Sequence, residues 1–226
     1  VWKGYLWRPR IDRNLFEALK RLSIMGLEHL DTLGPSGSNL IRLLAIASFD
    51  FPDSLSRQEK RLFLKKLDAR QLEEVVDILK DFLEGAGEQS AALWRERVAP
   101  WFVASWPREV DKKGSGLSLS LALLVIKAQE AFPEAVAAVR SYLVRSSDIS
   151  GVLFALEESE YPGRYPDATL TLLDSLLPYE HPQQLWGYKD YLSKLSGRIQ
   201  EAMSKTMDDS RYRRIVELLE KTEVGP

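Results

Sequence analysis

The chain has 226 residues, 45% apolar and 28% charged, with a net charge of -2. That length is ample for a buried core, and the near-neutral charge gives no overall attraction to nucleic acid or anionic lipid. With no cysteine among the 226 residues, disulfide frameworks, thiolate zinc sites and a cysteine nucleophile are all excluded, and a reducing compartment is the natural setting.

The first residues, Trp2, Lys3, Gly4, Tyr5, Leu6 and Trp7, are rich in aromatics and read as an interior piece of a longer chain. No secretory signal is visible. The longest mostly apolar run, Leu117 to Ile126, is interrupted by Ser118 and Ser120. It falls well short of the roughly 18 residues that a membrane span needs, so no membrane association and a cytoplasmic location are expected.

Almost every periodic segment predicts a helix. Asp12 caps a first one carrying Leu15, Phe16, Leu19 and Leu22, and Gly34–Gly37 is a turn before a helix from Leu40 to Ala47. Ser56 with Glu59, and then Asp68 with Gln71, each form the residue pair of a capping box. The first opens a helix through Leu67. The second opens the most regular helix of the chain, with Leu72, Val75, Val76, Leu79, Phe82 and Leu83 on one stripe and Gly85 as terminator. A helix from Gln89 to Val98 and a short apolar one opening at Pro100 follow. Residues 108–116 are polar and glycine-containing, and predict a joint between 1–107 and 117–226.

Beyond the joint, helices are expected over Leu117–Ala131, Pro133–Val144, Ile149–Glu157, Pro166–Leu177, Pro182–Met203 and Ser210–Leu219. No period-two alternation stands out, so the fold class is all-α. Phe132-Pro133-Glu134-Ala135 is echoed by Tyr165-Pro166-Asp167-Ala168, 33 residues on, with Pro100 another 33 residues earlier. Each four-residue phrase makes a helix start: an aromatic staple, a proline at the first position, and an acid at the positive end. The spacing points to a short α-solenoid of stacked helix pairs, with an irregular helical bundle as the alternative.

Residues that could carry chemistry are sparse. His29 and His181 lack the paired spacing of a helical metal site. Gly34–Asn39 lacks the Lys-Ser/Thr ending of a phosphate loop, and no serine stands in a nucleophile elbow. The acidic groups Glu73–Glu74, Glu157–Glu160 and Asp208–Asp209 read as solvated helix surface. No catalytic, cofactor-binding or metal-binding residue is assigned, and no cofactor is expected.

The surface signals are basic and aromatic. Arg57, Arg61 and Lys65 recur every fourth residue and share one helix face; Arg211, Arg213 and Arg214 form a second cluster. Such patches track phosphates in nucleic-acid binders. Trp94, Trp101 and Trp106 suit a core, whereas Trp2 and Trp7, with Arg8 and Arg10, suit an interface.

Trp2–Arg10, Trp94–Pro100, Trp106-Pro107, Phe132–Val136 and Asp209–Tyr212 together resemble the C-terminal helical region of large bacterial multidomain proteins associated with defence against phage. In those proteins the N-terminal part is a sirtuin-like NAD-consuming domain or a nucleotide-binding module. The resemblance implies that this segment is scaffold, sensor or assembly surface rather than enzyme. Its partner would then be an upstream domain of the same polypeptide or another protein. The expected function is therefore a non-catalytic interaction module, with candidate contacts at Trp2, Trp7, Arg8, Arg10, Arg57, Arg61 and Lys65. The alternative is nucleic-acid binding through the basic helix 56–67.

Overall fold

The computed structural model describes residues 14, 17, 18, 21, 55–104, 106, 115–146, 148–203 and 208–223. Among them there is no β-strand, so the chain is all-α as its periodicity requires. No helix is long and apolar enough to cross a membrane among the described residues. Two compact units emerge, Val1–Leu117 and Ser118–Pro226. Residues 108–114 of the expected joint, and the turn at 34–39, lie outside the described residues; 115–116 form the first turn of a helix.

In the first unit both capping boxes form. Ser56 accepts from the Glu59 amide at 3.2 Å while Glu59 accepts from the Ser56 amide at 2.7 Å, opening α1 (Arg57–Lys66). Asp68 and Gln71 repeat the exchange at 2.8 and 3.1 Å to open α2 (Ala69–Glu84). Each box satisfies two amides that the first helical turn would otherwise leave unpaired. All six stripe residues of α2 are buried, and each contributes on the order of 2 kcal/mol. Gly85 ends the helix in a right-handed conformation; the left-handed residue that turns the chain is Gly87, at φ +55°.

The expected break before Pro100 is absent. The chain stays helical through α3 (Ser90–Leu93), a π turn (Trp94–Val98) and α4 (Ala99–Ala104). Proline has no N–H to donate and crowds the carbonyl four residues back. The π turn loosens the ladder just ahead of it, with the Ala99 amide reaching the Trp94 carbonyl five residues back. Pro100 thus sits inside a helical rod, and its 33-residue spacing from Pro133 does not mark a repeat boundary. Trp94, Trp101, Phe102 and Trp106 are all buried, with Phe102 stacked on Trp94 at 5.9 Å and tilted against Trp106 at 4.6 Å.

The second unit holds most of α5 (Ser115–Ile126), then α6 (Phe132–Val139), α7 (Ser150–Glu158), α8 (Tyr161–Arg164), α9 (Pro166–Leu176), α10 (Lys189–Ala202) and α11 (Ser210–Glu223). The helix expected from Pro182 begins as a 3-10 segment, Pro182–Tyr188, and becomes α-helical only at Lys189. Leu185, Leu192, Leu195 and Ile199, spaced along this segment by threes and fours with the half-buried Tyr188, are buried. The short α8 carries no apolar periodicity and is invisible to sequence reading. Helix α9 packs between α6 and α11, while α7 and α8 pack on α10. Arg211 reaches Asp167 and Thr171, and Arg214 reaches Asp174, so contacts advance in step and α9 and α11 run parallel.

Two joints share one geometry. α2 passes through a turn, then a 3-10 segment Gly87–Gln89 opened by a positive-φ residue, then α3. α5 passes through a turn, then a 3-10 segment Gln129–Ala131 opened by Gln129 at φ +50°, then α6.

Candidate interaction surfaces

Helix α1 has two unlike faces. Phe63, Leu64 and Leu67 are buried, and the Lys60 ammonium lies 5.8 Å from the centre of the buried Trp101 ring. The opposite face carries Arg57, Arg61 and Lys65, all exposed, at successive steps of about 6 Å along the axis. Leu62 sits beside them with 52% of its surface in water. The face is thus cationic, with one exposed aliphatic side chain beside the charges.

The second basic cluster does not form a phosphate-facing patch. Arg211 clasps Asp209 through Nε at 3.0 Å and Nη2 at 2.5 Å, Asp167 through Nη2 at 2.6 Å, and the Thr171 hydroxyl through Nη1 at 2.6 Å. Arg214 donates twice to Asp174, at 3.0 and 2.7 Å, and the Tyr179 hydroxyl donates to the same carboxylate oxygen at 3.0 Å. Only Arg213 of the three is fully exposed. Asp209, expected as solvated surface, is instead mostly covered. The Arg211 N–H groups hold its carboxyl down at about 2, and Arg211 is pushed above the usual guanidinium value, chiefly by Asp209. Burial, followed by the Asp174 charge, raises the Tyr179 phenol. These bonds fasten α11 to α9 and hold the arginines in place.

Further fastenings join the other helices of this unit. Tyr161 donates to the Ile126 carbonyl at 2.8 Å, and burial pushes its phenol up to about 12. Its ring stacks on Phe132 at 4.3 Å, and Tyr165 completes the cluster 6.2 Å from Phe132. The two aromatics of the echoed sequence phrases therefore meet. Arg198 donates to the carbonyls of Glu157 and Ser159, and Lys194 pairs with Glu157 at 2.6 Å.

Where the two echoed phrases lie side by side, a groove of about 480 Å³ opens along α6 and the first half of α9, with Arg211 of α11 in its lining. Pro133, Val136, Ala137 and Ala168 are among its apolar lining, and Arg140, Asp167 and Thr171 among its polar lining. Among the described residues no group of three or more histidine or acidic side chains is placed to hold a metal ion.

No family model and no solved structure matches this chain. A stretch of 144 residues, 61% of the chain, is 31% identical to the uncharacterized protein y4cA of Sinorhizobium fredii. The match spans only 12% of that protein's length.

Of the residues expected to form an interaction surface, Arg57, Arg61 and Lys65 come together on α1, whereas Trp2, Trp7, Arg8 and Arg10 lie outside the described residues, as does His29. His181 is exposed in the turn before Pro182. The groove residues Arg140 and Thr171 escaped the sequence reading. The signal that could have found them is the paired aromatic-Pro-acid-Ala phrase: two like helix starts that pack against each other leave a cleft between their first turns.

Proposed function

We infer that this chain is a non-catalytic helical interaction module within a longer bacterial polypeptide, docking a protein partner or regulating an effector domain elsewhere in the same chain. The outward face of α1 is the observation that carries the reading: a cationic stripe of Arg57, Arg61 and Lys65 around the exposed Leu62, set on a helix anchored by Phe63, Leu64 and Leu67. A rigid helical frame presenting such a face suits recognition of an acidic protein surface. The small share of the Sinorhizobium protein that the match covers supports membership of a larger polypeptide. A role in phage defence rests on the sequence resemblance alone, and the effector domain would then be NAD-consuming or nucleotide-binding.

The nucleic-acid reading uses the same stripe. Fluorescence anisotropy with labelled duplex and single-stranded oligonucleotides, titrated with salt, separates the two. The interaction-module reading expects no binding at low salt that depends on Arg61 and Lys65. Binding that falls steeply with salt and is lost in the Arg61→Glu, Lys65→Glu double variant would replace it.

A further inference from the structure

We propose that the groove between α6, α9 and the start of α11 is a second binding site, built for an acidic peptide segment: a glutamate or aspartate side chain flanked by apolar residues. The volume falls within the range of ligand sites, and the groove is open to solvent with apolar and polar groups sharing its lining. Arg140 stands at its wall, exposed, and among the described residues no acidic side chain pairs with it. Arg211 is held rigid by its clasp. Of the five N–H donors of a guanidinium, four are engaged, by Asp209 twice, Asp167 and Thr171, which leaves one on Nη1.

The charges decide the ligand class. Asp209 and Asp167 both bond Arg211 and outweigh it by one charge. Arg140 brings the cluster to neutral, and among the described residues it is the cation whose guanidinium is left without a bonded carboxylate, open to one from a ligand. One cation with one spare donor suits a single carboxylate, which accepts a forked pair of N–H bonds from a guanidinium. A polyanion would meet Asp167, whose side chain is 77% exposed at the rim, and be repelled. The same Asp167 can accept a backbone N–H from an extended segment. Ala137 and Pro133 then receive the neighbouring apolar side chains. The inference does not depend on the α1 surface, and failure of either leaves the other standing.

The test is fluorescence anisotropy on the whole chain, with a pool of fluorescein-labelled hexapeptides carrying one fixed glutamate among varied apolar residues. A matching pool carries glutamine in its place. The glutamate pool binds, and exchange to glutamine weakens it about tenfold, the equivalent of one charge-assisted pair. Arg140→Glu produces a loss at least as large, Ala137→Trp blocks the groove and abolishes binding, and Glu158→Gln, exposed on α7 outside both surfaces, changes nothing. Both groove positions are exposed, and circular dichroism confirms that each variant keeps its helices. Equal affinity for the two pools, no binding up to millimolar concentration, or Arg140-dependent binding of single-stranded oligonucleotide in place of peptide each overturns the proposal.

Discussion

Replacing Arg211 by methionine keeps the length of the side chain and removes its charge and all its donors. The Asp167 carboxylate is 77% exposed, so its bond to Arg211 counts for little. Asp209 is only 17% exposed and Thr171 is buried, and losing their bonds leaves a covered carboxylate without its charged partner, held only by backbone amides. A buried charged hydrogen bond contributes about 1.5–3 kcal/mol. With the exposure discount, the variant should lose about 2–3 kcal/mol at pH 7. The loss carries a pH signature. Asp209 titrates at about 2 in the folded chain, against about 3.9 unfolded. The stability it supplies is complete above the unfolded value and disappears as pH falls through the folded one, between about pH 4 and pH 2. The gap between wild type and Arg211→Met should therefore narrow by about 0.5–1 kcal/mol at pH 3. Urea denaturation followed by circular dichroism measures both gaps. A variant within about 0.5 kcal/mol of wild type at pH 7, or a gap unchanged at pH 3, refutes the reasoning.

The Ser118 hydroxyl accepts from the Val144 amide at 2.9 Å and donates to the Val144 carbonyl at 3.0 Å. Ser118→Ala strands two covered backbone groups and should cost about 2 kcal/mol in the same assay. Gly87, at φ +55° with open space around it, should tolerate alanine sterically yet lose about 1 kcal/mol, because the left-handed backbone disfavours a Cβ. The converse, Gln129→Gly at φ +50°, should be neutral to stabilising by about 0.5 kcal/mol, and a clear loss there contradicts the strain argument. Tyr161→Phe removes the bond to the Ile126 carbonyl and should cost about 1 kcal/mol at neutral pH. Because its phenol is raised to about 12 in the folded chain, wild type should lose stability as pH climbs through about 10 to 12, and the variant should lose less.

The helices of the first unit were legible because their signals are local. A capping box lies within four residues, and the stripe of α2 repeats within two turns. The joint chemistry was harder. Gly85 looks like a helix terminator, yet Gly87 takes the left-handed turn, and nothing near Gln129 marks it for the same backbone role. Pro100 reads as a break, and only the π turn upstream shows how a helix absorbs it. The surfaces were legible in part. The four-residue spacing of Arg57, Arg61 and Lys65 guarantees a shared face once α1 forms. Arg211 and Arg214 looked equally available. Asp209 stands only two residues before Arg211, but Asp167 and Asp174, 40 and more residues earlier in the chain, could not be read from spacing. The groove follows from the packing of α6 on α9, a tertiary fact that the echoed phrases mark without revealing its depth.

The α1 face is tested most directly by purifying the tagged full-length protein, wild type and Arg61→Glu, Lys65→Glu side by side, after nuclease treatment and chemical cross-linking. Mass spectrometry should find cross-links from α1 to a partner protein or to a distant part of the same polypeptide in wild type, reduced about tenfold in the variant, the scale expected for losing close charge pairs. Cross-links from α1 that are equal in both proteins, or that vanish with nuclease, would contradict the account.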